Sequence, residues 1–320
     1  MPMTEPRTAV VIPCYKVKAK VVEVIRAIGP EVQWIICVDD ACPEGSGRHV
    51  QAEVHDPRVS VVFLEQNQGV GGATCAGYRA ALDKHADVVV KLDGDGQMDP
   101  ALIPSLLRPI LAGSADYTKG NRFYNVEDVA SMPLLRLLGN ACLSFASKFS
   151  SGYWGLLDPT NGFTAVHGKV LALLPLPKLS QRWFFESDLL FRLNTMGAVI
   201  TDVPMRAVYG DGGSNLRILP VIPEFAWKHL RNYLKRIFYA YFLRGFSIAS
   251  VQLVLGLLLL VFGIAYGGAA WMRSVHEQVF ASAGTVMLAA LPVIIGFQML
   301  LAFLTYDMQS APTQPLQGRL

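Results

Sequence analysis

A chain of 320 residues with a formal net charge of +3 has room for one large domain or two ordinary ones and shows no overall pull toward nucleic acid. Its 52% hydrophobic content is too apolar for a purely soluble chain, and the excess is unevenly spread. The five cysteines, Cys14, Cys37, Cys42, Cys75 and Cys142, form no CxxC pair and have no histidine at zinc spacing. They read as reduced thiols rather than a disulfide framework or a zinc site.

Thr8-Ala-Val-Val-Ile-Pro13 reads as a strand almost from the start, so no signal peptide is expected. Lys16 to Ile28 predicts a helix, and Gln33 to Val38 a second strand ending in Asp39-Asp40. Ala41 to Gly47 is a loop by its Pro, Gly and Ser content. Val59 to Leu64 is a third strand, Val70 to Lys84 a helix, Asp87 to Leu92 a fourth strand and Ala101 to Leu111 a helix. Strands alternating with helices predict an α/β domain with a mostly parallel sheet covered on both faces. In such sheets ligands sit outside the carboxyl ends of the strands. Three of these ends are polar: Pro13-Cys-Tyr15, Asp39-Asp40 and Asp93-Gly-Asp95.

The last of these has two readings. Val88 to Val90 is a buried strand that delivers Asp93, Asp95 and Gln97 to the sheet edge, where they offer hard oxygen ligands for Mg²⁺ or Mn²⁺. The plain alternative is an Asp-Gly turn. An EF-hand is excluded, because the sixth place from Asp93 is Met98 and the twelfth is Pro104. Asn67-Gln-Gly-Val-Gly-Gly-Ala73 opens a helix, where the amide of Gly69 and its neighbours can meet phosphate. Close packing of helix on sheet explains the same glycines, and the Rossmann fingerprint fails at Thr74.

Beyond Asp116 to Phe123, a short strand and polar loop, Leu134 to Phe149 predicts a helix and Asp158 to Phe163 a turn. Phe184 to Met196 is a helix carrying Glu186 and Asp188, Val199 to Val203 a late strand, and Tyr209 to Leu216 a Gly-rich loop. Trp227 to Arg244 then interleaves Lys and Arg with Trp, Tyr and Phe, the pattern of a membrane-surface helix. Phe246 to Trp271 and Val279 to Tyr306 are free of charge and long enough to span a bilayer. The predicted organisation is a domain over residues 1–222, an interfacial helix over 223–245, a transmembrane hairpin over 246–306 and a flexible tail over 307–320. Positive charge before the first span places the domain in the cytoplasm, as an integral protein of an inner, plasma or ER-type membrane. Small residues around Gly268 offer a surface for self-association.

Together the motifs resemble the family-2 glycosyltransferases of GT-A fold, most closely the dolichyl- and undecaprenyl-phosphate sugar transferases. The matching stretches are Val11-Ile-Pro-Cys-Tyr15, Val38-Asp-Asp40, Asn67-Gln-Gly69 with Gly77, Leu92-Asp-Gly-Asp-Gly-Gln97, Asp158-Pro-Thr-Asn-Gly-Phe163, Phe185-Glu-Ser-Asp188 and Asp202-Val-Pro204. The resemblance implies that Pro13, Tyr15, Asp39 and Asp40 line the nucleotide, and that Asp93, Asp95 and Gln97 hold a metal and the diphosphate. It also implies that Arg206, Ser214 and Arg217 meet phosphate. Two positions depart from the pattern: Lys16-Val17 stands where many members have Asn-Glu, and Thr164 stands where the family often has Arg.

The expected reaction is inverting, metal-dependent transfer of a sugar from a UDP- or GDP-sugar to a polyprenyl phosphate. Lys235 and Arg236 would meet the acceptor at the bilayer. A phosphate acceptor arrives ionised and needs positioning more than a base. A hydroxyl acceptor, as in extension of a lipid-linked glycan, needs a carboxylate, with Asp188, Glu186 and Asp158 as candidates. A third reading is a non-catalytic, membrane-anchored nucleotide-binding subunit.

Overall fold

The computed structural model describes residues 6–124, 134–206 and 218–320. The chain forms two compact units, Met1–Tyr233 together with Pro312–Leu320, and Leu234–Ala311.

In the first unit β1 (Thr8–Cys14) pairs in parallel with β2 (Trp34–Asp39), with α1 (Val21–Arg26) between them in sequence. After α2 (Ser46–Glu53), β3 (Val59–Phe63) extends this parallel edge. The chain then runs through α3 (Gly69–Asp83) to β4 (Val88–Lys91), which lies parallel to β1 on its other side. α4 (Ile103–Leu111) precedes β5 (Tyr117–Asn121), and α5 (Leu134–Ser151) precedes β6 (Thr164–His167). β6 is antiparallel to both β4 and β5. α6 (Gly168–Leu173) and α7 (Phe185–Met196) lead to β7 (Ile200–Pro204), parallel to β5. The seven-stranded order is β3-β2-β1-β4-β6-β5-β7, mostly parallel with one reversed strand inside it.

β1 and β4 are buried along their whole length, which is why they read as unbroken apolar runs. Ala9, Val11 and Val89 face a core completed by Tyr78 of α3 and Phe185, Leu189 and Leu193 of α7. Val10, Ile12 and Val90 face the opposite core with Val24 and Ile25 of α1 and Leu106 and Ile110 of α4. This two-layer cover brings the carboxyl ends of β1, β2 and β4 to one edge.

Three expectations change. The first helix is only Val21–Arg26, because Lys16 adopts a left-handed φ of 57° and the chain turns before it coils. The loop expected up to Gly47 becomes a helix from Ser46, started by the Asp39 carboxylate, which accepts from Gly47 N at 2.6 Å. The tail expected to be flexible is folded against the first unit. Leu316 N and Gln317 N each donate to the buried Asp116 carboxylate at 2.7 Å, and Leu316 packs on the core. Backbone amides of a Pro- and Gln-containing segment supply what a buried carboxylate needs, and composition does not report that.

In the second unit α8 (Ile218–Phe238) ends, a π-turn spans Tyr239–Leu243, and α9 (Ile248–Glu277) and α10 (Ala283–Gln309) run as a pair. Both are long and apolar enough to cross a membrane, and only 22% and 11% of their most apolar stretches are buried, unlike the core helices of a soluble domain. They approach at glycines: a Cβ on Gly256 would lie 3.0 Å from Gly296 O, and one on Gly263 would lie 2.9 Å from Ala289 O. Ser247 and Ser250 form a capping box at the start of α9.

Candidate active site

At the end of β2, beside the end of β1, the two carboxylates are committed to backbone. Asp39 accepts from Cys42 N at 2.7 Å and Gly47 N at 2.6 Å, and Asp40 from Gln68 N at 2.7 Å and Gly69 N at 2.8 Å. Burial pushes the Asp40 carboxyl up, and the two amides partly offset this. Both acids therefore shape the loops beside Tyr15, which is exposed, and Pro13, which is buried. The Gly69 amide, expected to be free for phosphate, is used by Asp40. Packing accounts for these glycines: a Cβ on Gly69, at φ 83°, would lie 2.8 Å from Gln181 O, and one on Gly71 would lie 2.3 Å from Ser180 O.

At the end of β4, Asp95 is exposed and its Oδ1 accepts from Gln97 N at 3.0 Å. Its surroundings and the neighbouring Asp93 charge push the Asp95 carboxyl above its ordinary value. Asp93 Oδ1 accepts from the buried Lys91 ammonium at 2.8 Å. Among the described residues, no group of three or more His, Cys, Asp and Glu forms a protein cage for a metal. Two carboxylates and an amide oxygen at an open edge suit an ion that takes its other ligands from phosphate and water.

The residues that sequence reasoning passed over are the cations. Lys91 on β4 and Lys119 on β5 are both in register with Thr164 of β6, so the three side chains form a row on one face of the sheet. An arginine at 164 would put a third cation between two buried lysines, which accounts for the neutral residue there. Lys91 also meets Glu186 Oε1 at 3.4 Å. Burial alone would lower its ammonium, but Asp93 and Glu186 hold it above the ordinary value. Lys119 donates to Asn161 O, and burial pulls its ammonium down to about 8. Arg122 grips the fully buried Asp158 through Nε at 2.7 Å and Nη2 at 3.0 Å. The available signal was a lysine inside a strand that is otherwise Val88-Val-Val90, and another inside Tyr117-Thr-Lys-Gly-Asn121.

The three carboxylates named as bases are thus all held. Glu186 faces Lys91, and Asp158 faces Arg122. Asp188 is buried with Arg192 Nε at 3.2 Å, Ser180 N at 3.0 Å and Asn232 Nδ2 at 3.1 Å. Arg206 is exposed just beyond β7, whereas Ser214 and Arg217 lie outside the described residues. Lys235 is exposed on α8. Arg236, expected to meet the acceptor, is instead buried in the second unit. Its Nη1 and Nη2 donate to Asp307 at 2.6 and 2.9 Å, and Tyr241 Oη donates to the same carboxylate at 2.7 Å. A lone charge near an apolar span needs an ionic partner, and Asp307 of α10 provides it.

A mostly parallel sheet that presents Asp-x-Asp-x-Gln at the carboxyl end of a central strand is the GT-A arrangement of glycosyltransferases. The family model described as glycosyl transferase family 2 matches residues 9–172, and the chain belongs to that family. A UDP-N-acetylglucosamine–dolichyl-phosphate N-acetylglucosaminyltransferase of Methanococcus voltae is 33% identical over 152 residues, 48% of this chain and 60% of that protein. A polyprenol monophosphomannose synthase of Mycolicibacterium smegmatis is 30% identical over 223 residues, 66% of this chain and 83% of that protein. The chain therefore spans less than two thirds of the first relative and more of the second. Glucosyl-3-phosphoglycerate synthase of Mycobacterium tuberculosis, solved with UDP, superposes with a TM-score of 0.53 at 20% identity, over 72% of this chain and 80% of that one. The same enzyme has been solved with Mn²⁺, UDP and glucosyl-3-phosphoglycerate, at a TM-score of 0.51 and 21% identity over 72% of this chain and 80% of that one. The fold is shared with these structures, and the chain is a glycosyltransferase rather than a non-catalytic subunit.

Proposed function

We propose that the chain transfers a sugar, with inversion, from a nucleoside diphosphate sugar to a polyprenyl phosphate at the cytoplasmic face of a membrane. One observation carries the choice of acceptor. Asp158 and Asp188 are buried with both carboxylate oxygens in hydrogen bonds, and Glu186 turns Oε1 toward Lys91 at 3.4 Å, so the three candidates are arranged to tie elements together rather than to meet an incoming hydroxyl and take its proton. A phosphate monoester makes no such demand, because it arrives largely ionised. The relatives named for dolichyl phosphate and polyprenol support the same acceptor class.

Pro13 and Tyr15 would form the wall beside the base, with the loops held by Asp39 and Asp40 behind them. Asp93, Asp95 and Gln97 would hold Mg²⁺ or Mn²⁺, which supplies positive charge to the leaving diphosphate when bound. The chain's own part is geometric: it keeps the donor in the cleft and excludes water from the anomeric carbon while the acceptor oxygen approaches from the far side. Arg206 is an exposed cation at the same sheet edge for the phosphates, and Ser214 and Arg217 would join it. α8 suits delivery of a lipid. Its Trp227 and Leu230 are exposed apolar side chains, while His229 and Asn232 are buried within the first unit.

The test is purified enzyme in nanodiscs, offered a panel of UDP- and GDP-sugars with undecaprenyl or dolichyl phosphate, with mass spectrometry of the lipid product. An acid-labile sugar phosphate is expected. A stable glycosidic linkage would point to a hydroxyl acceptor and sink the phosphate reading.

A further inference from the structure

β4 is buried on both faces, yet its last residue is a lysine whose side chain is 2% exposed. Three segments converge on that ammonium. Asp93 Oδ1 lies at 2.8 Å, Gly162 O at 3.4 Å and Glu186 Oε1 at 3.4 Å. The neighbourhood is built around it, since a Cβ on Gly162 would stand 2.5 Å from Lys91 Nζ and 2.7 Å from Asp93 Oδ2. An ammonium withdrawn from water is destabilising by several kcal/mol unless anions and carbonyls compensate it. Here two acids share one cation, and one of those acids belongs to the Asp-x-Asp-x-Gln stretch.

We propose that Lys91 is a positioning residue of the transfer site, clipping the Asp93 loop, the Gly162 turn and α7 into one wall and tempering the pull of Asp93 on a divalent cation. Two consequences follow from charge alone. Without Lys91, Asp93 loses its hydrogen-bonded cation and Glu186 keeps only the longer-range charge of Lys119, so a cation entering the site is bound more tightly. Without the Glu186 charge, the ammonium acts on Asp93 alone and the cation is bound more weakly. Lys91 touches no reacting atom in this scheme. It fixes where the carboxylate points, and a displacement of about 1 Å at a reacting centre is enough to cost about a hundredfold in rate.

The inference rests on the transferase reading, but its first measurement needs no turnover. Full-length protein is titrated with Mn²⁺ alone and followed by thermal shift. Lys91→Met is expected to lower the half-saturating Mn²⁺ concentration by about tenfold and Glu186→Gln to raise it several-fold, as expected for one unit charge near the ion. Opposite signs are what a purely structural lesion does not produce. In lipid-acceptor turnover, Lys91→Met should lose about a hundredfold in kcat, and Lys91→Met with Glu186→Gln should recover about tenfold of it. If both variants shift Mn²⁺ binding the same way or not at all, or if the double variant recovers nothing, Lys91 is a packing residue and the proposal fails. Should Lys91→Met not fold, Lys91→Met with Glu186→Gln takes its place: tighter Mn²⁺ binding than in Glu186→Gln alone supports the proposal, and equal or weaker binding overturns it. A wild type that makes no lipid product with any donor overturns the transferase reading while leaving the two Mn²⁺ shifts readable.

Discussion

Along the carboxyl edge of the sheet the two halves hold their carboxylates in different ways. On the β1–β2–β3 side Asp39 and Asp40 are held by backbone amides from their own or the next loop. On the β4–β6–β5 side Asp93, Asp158 and Glu186 are held by Lys91 and Arg122, two of these pairings reaching across from distant segments. Amides fix a loop's shape and leave a net negative charge behind. Cations neutralise that charge and tie separate elements together. The first half is thus a moulded rim and the second an electrostatically balanced wall, with Asp95 at the boundary, exposed and holding only a backbone amide.

Asp95 should be the most sensitive position. Asp95→Asn is expected to cut transfer by about 10³-fold or more while membrane insertion and melting temperature stay unchanged. Retained turnover would remove Asp95 from the diphosphate site. Next comes the contrast itself. Arg122→Met leaves the Asp158 carboxylate buried without its cation and should destabilise the fold by about 3–5 kcal/mol. Asp40→Asn keeps an acceptor for one of two amides and should cost about 1–2 kcal/mol. Thermal denaturation of the two variants in the same detergent measures the gap, and equal losses would erase the distinction between rim and wall.

That distinction also marks what the sequence could and could not tell. The acids were legible because each stands at the end of an apolar run or inside a short motif: Val38-Asp-Asp40, Leu92-Asp-Gly-Asp95, Phe185-Glu186. So were the sheet, whose buried strands are continuous β-branched runs, and the two long apolar helices near the C-terminus. Their partners were not legible, because the Lys91–Glu186 pairing depends on β4 and α7 meeting in space, and no local period encodes it. The antiparallel β6 was hidden for a related reason. It is four residues long, and its neighbours β4 and β5 are set by topology rather than by its own pattern. Arg236 misled because a cation amid aromatics looks the same whether it faces lipid headgroups or an Asp307 contributed from the far end of the hairpin.

The C-terminal segment extends the rim's logic to a distant site. Asp116 is fully buried and accepts from three amides, those of Val199 at 2.8 Å and of Leu316 and Gln317 at 2.7 Å each. Removing residues 312–320 leaves it with one of the three and also strips the Gln317 side chain from the carbonyls of Ile110 and Ala115. The expected loss is about 2–3 kcal/mol, seen as a lower melting temperature. Asp116→Asn in the truncated chain should recover part of it, since an amide side chain is cheaper to leave partly unpaired than a carboxylate. A truncation that melts with the full chain would mean that the tail's amides add nothing to the fold.

The smallest effect near neutral pH belongs to His229, where neither amide nor cation compensates. Its Nδ1 lies 2.8 Å from Ser150 Oγ, its ring packs edge-on against Phe184 at 4.8 Å, and its Nε2 is buried without a partner. Burial pulls the imidazole down to about 4, so the fold holds it neutral. The groups facing it from α5 and from the turn before α7 are a hydroxyl and a phenyl ring, and the nearest cation on its own helix, Lys228, sits over that same ring. The unfolded chain protonates near 6.5 and the folded one only near 4. Stability is therefore complete above about pH 6.5, falls as pH drops through that window and loses nothing more from this group below about 4. The loss is about 0.8 kcal/mol at pH 6 and on the order of 3 kcal/mol at the acid end. His229→Gln keeps a partner for Ser150 and removes the titration, so its melting temperature should decline less than that of the wild type between pH 6.5 and 4. Parallel acid limbs would assign the loss to carboxylates elsewhere, and the unpaired Nε2 would then be a cost that the fold carries at every pH.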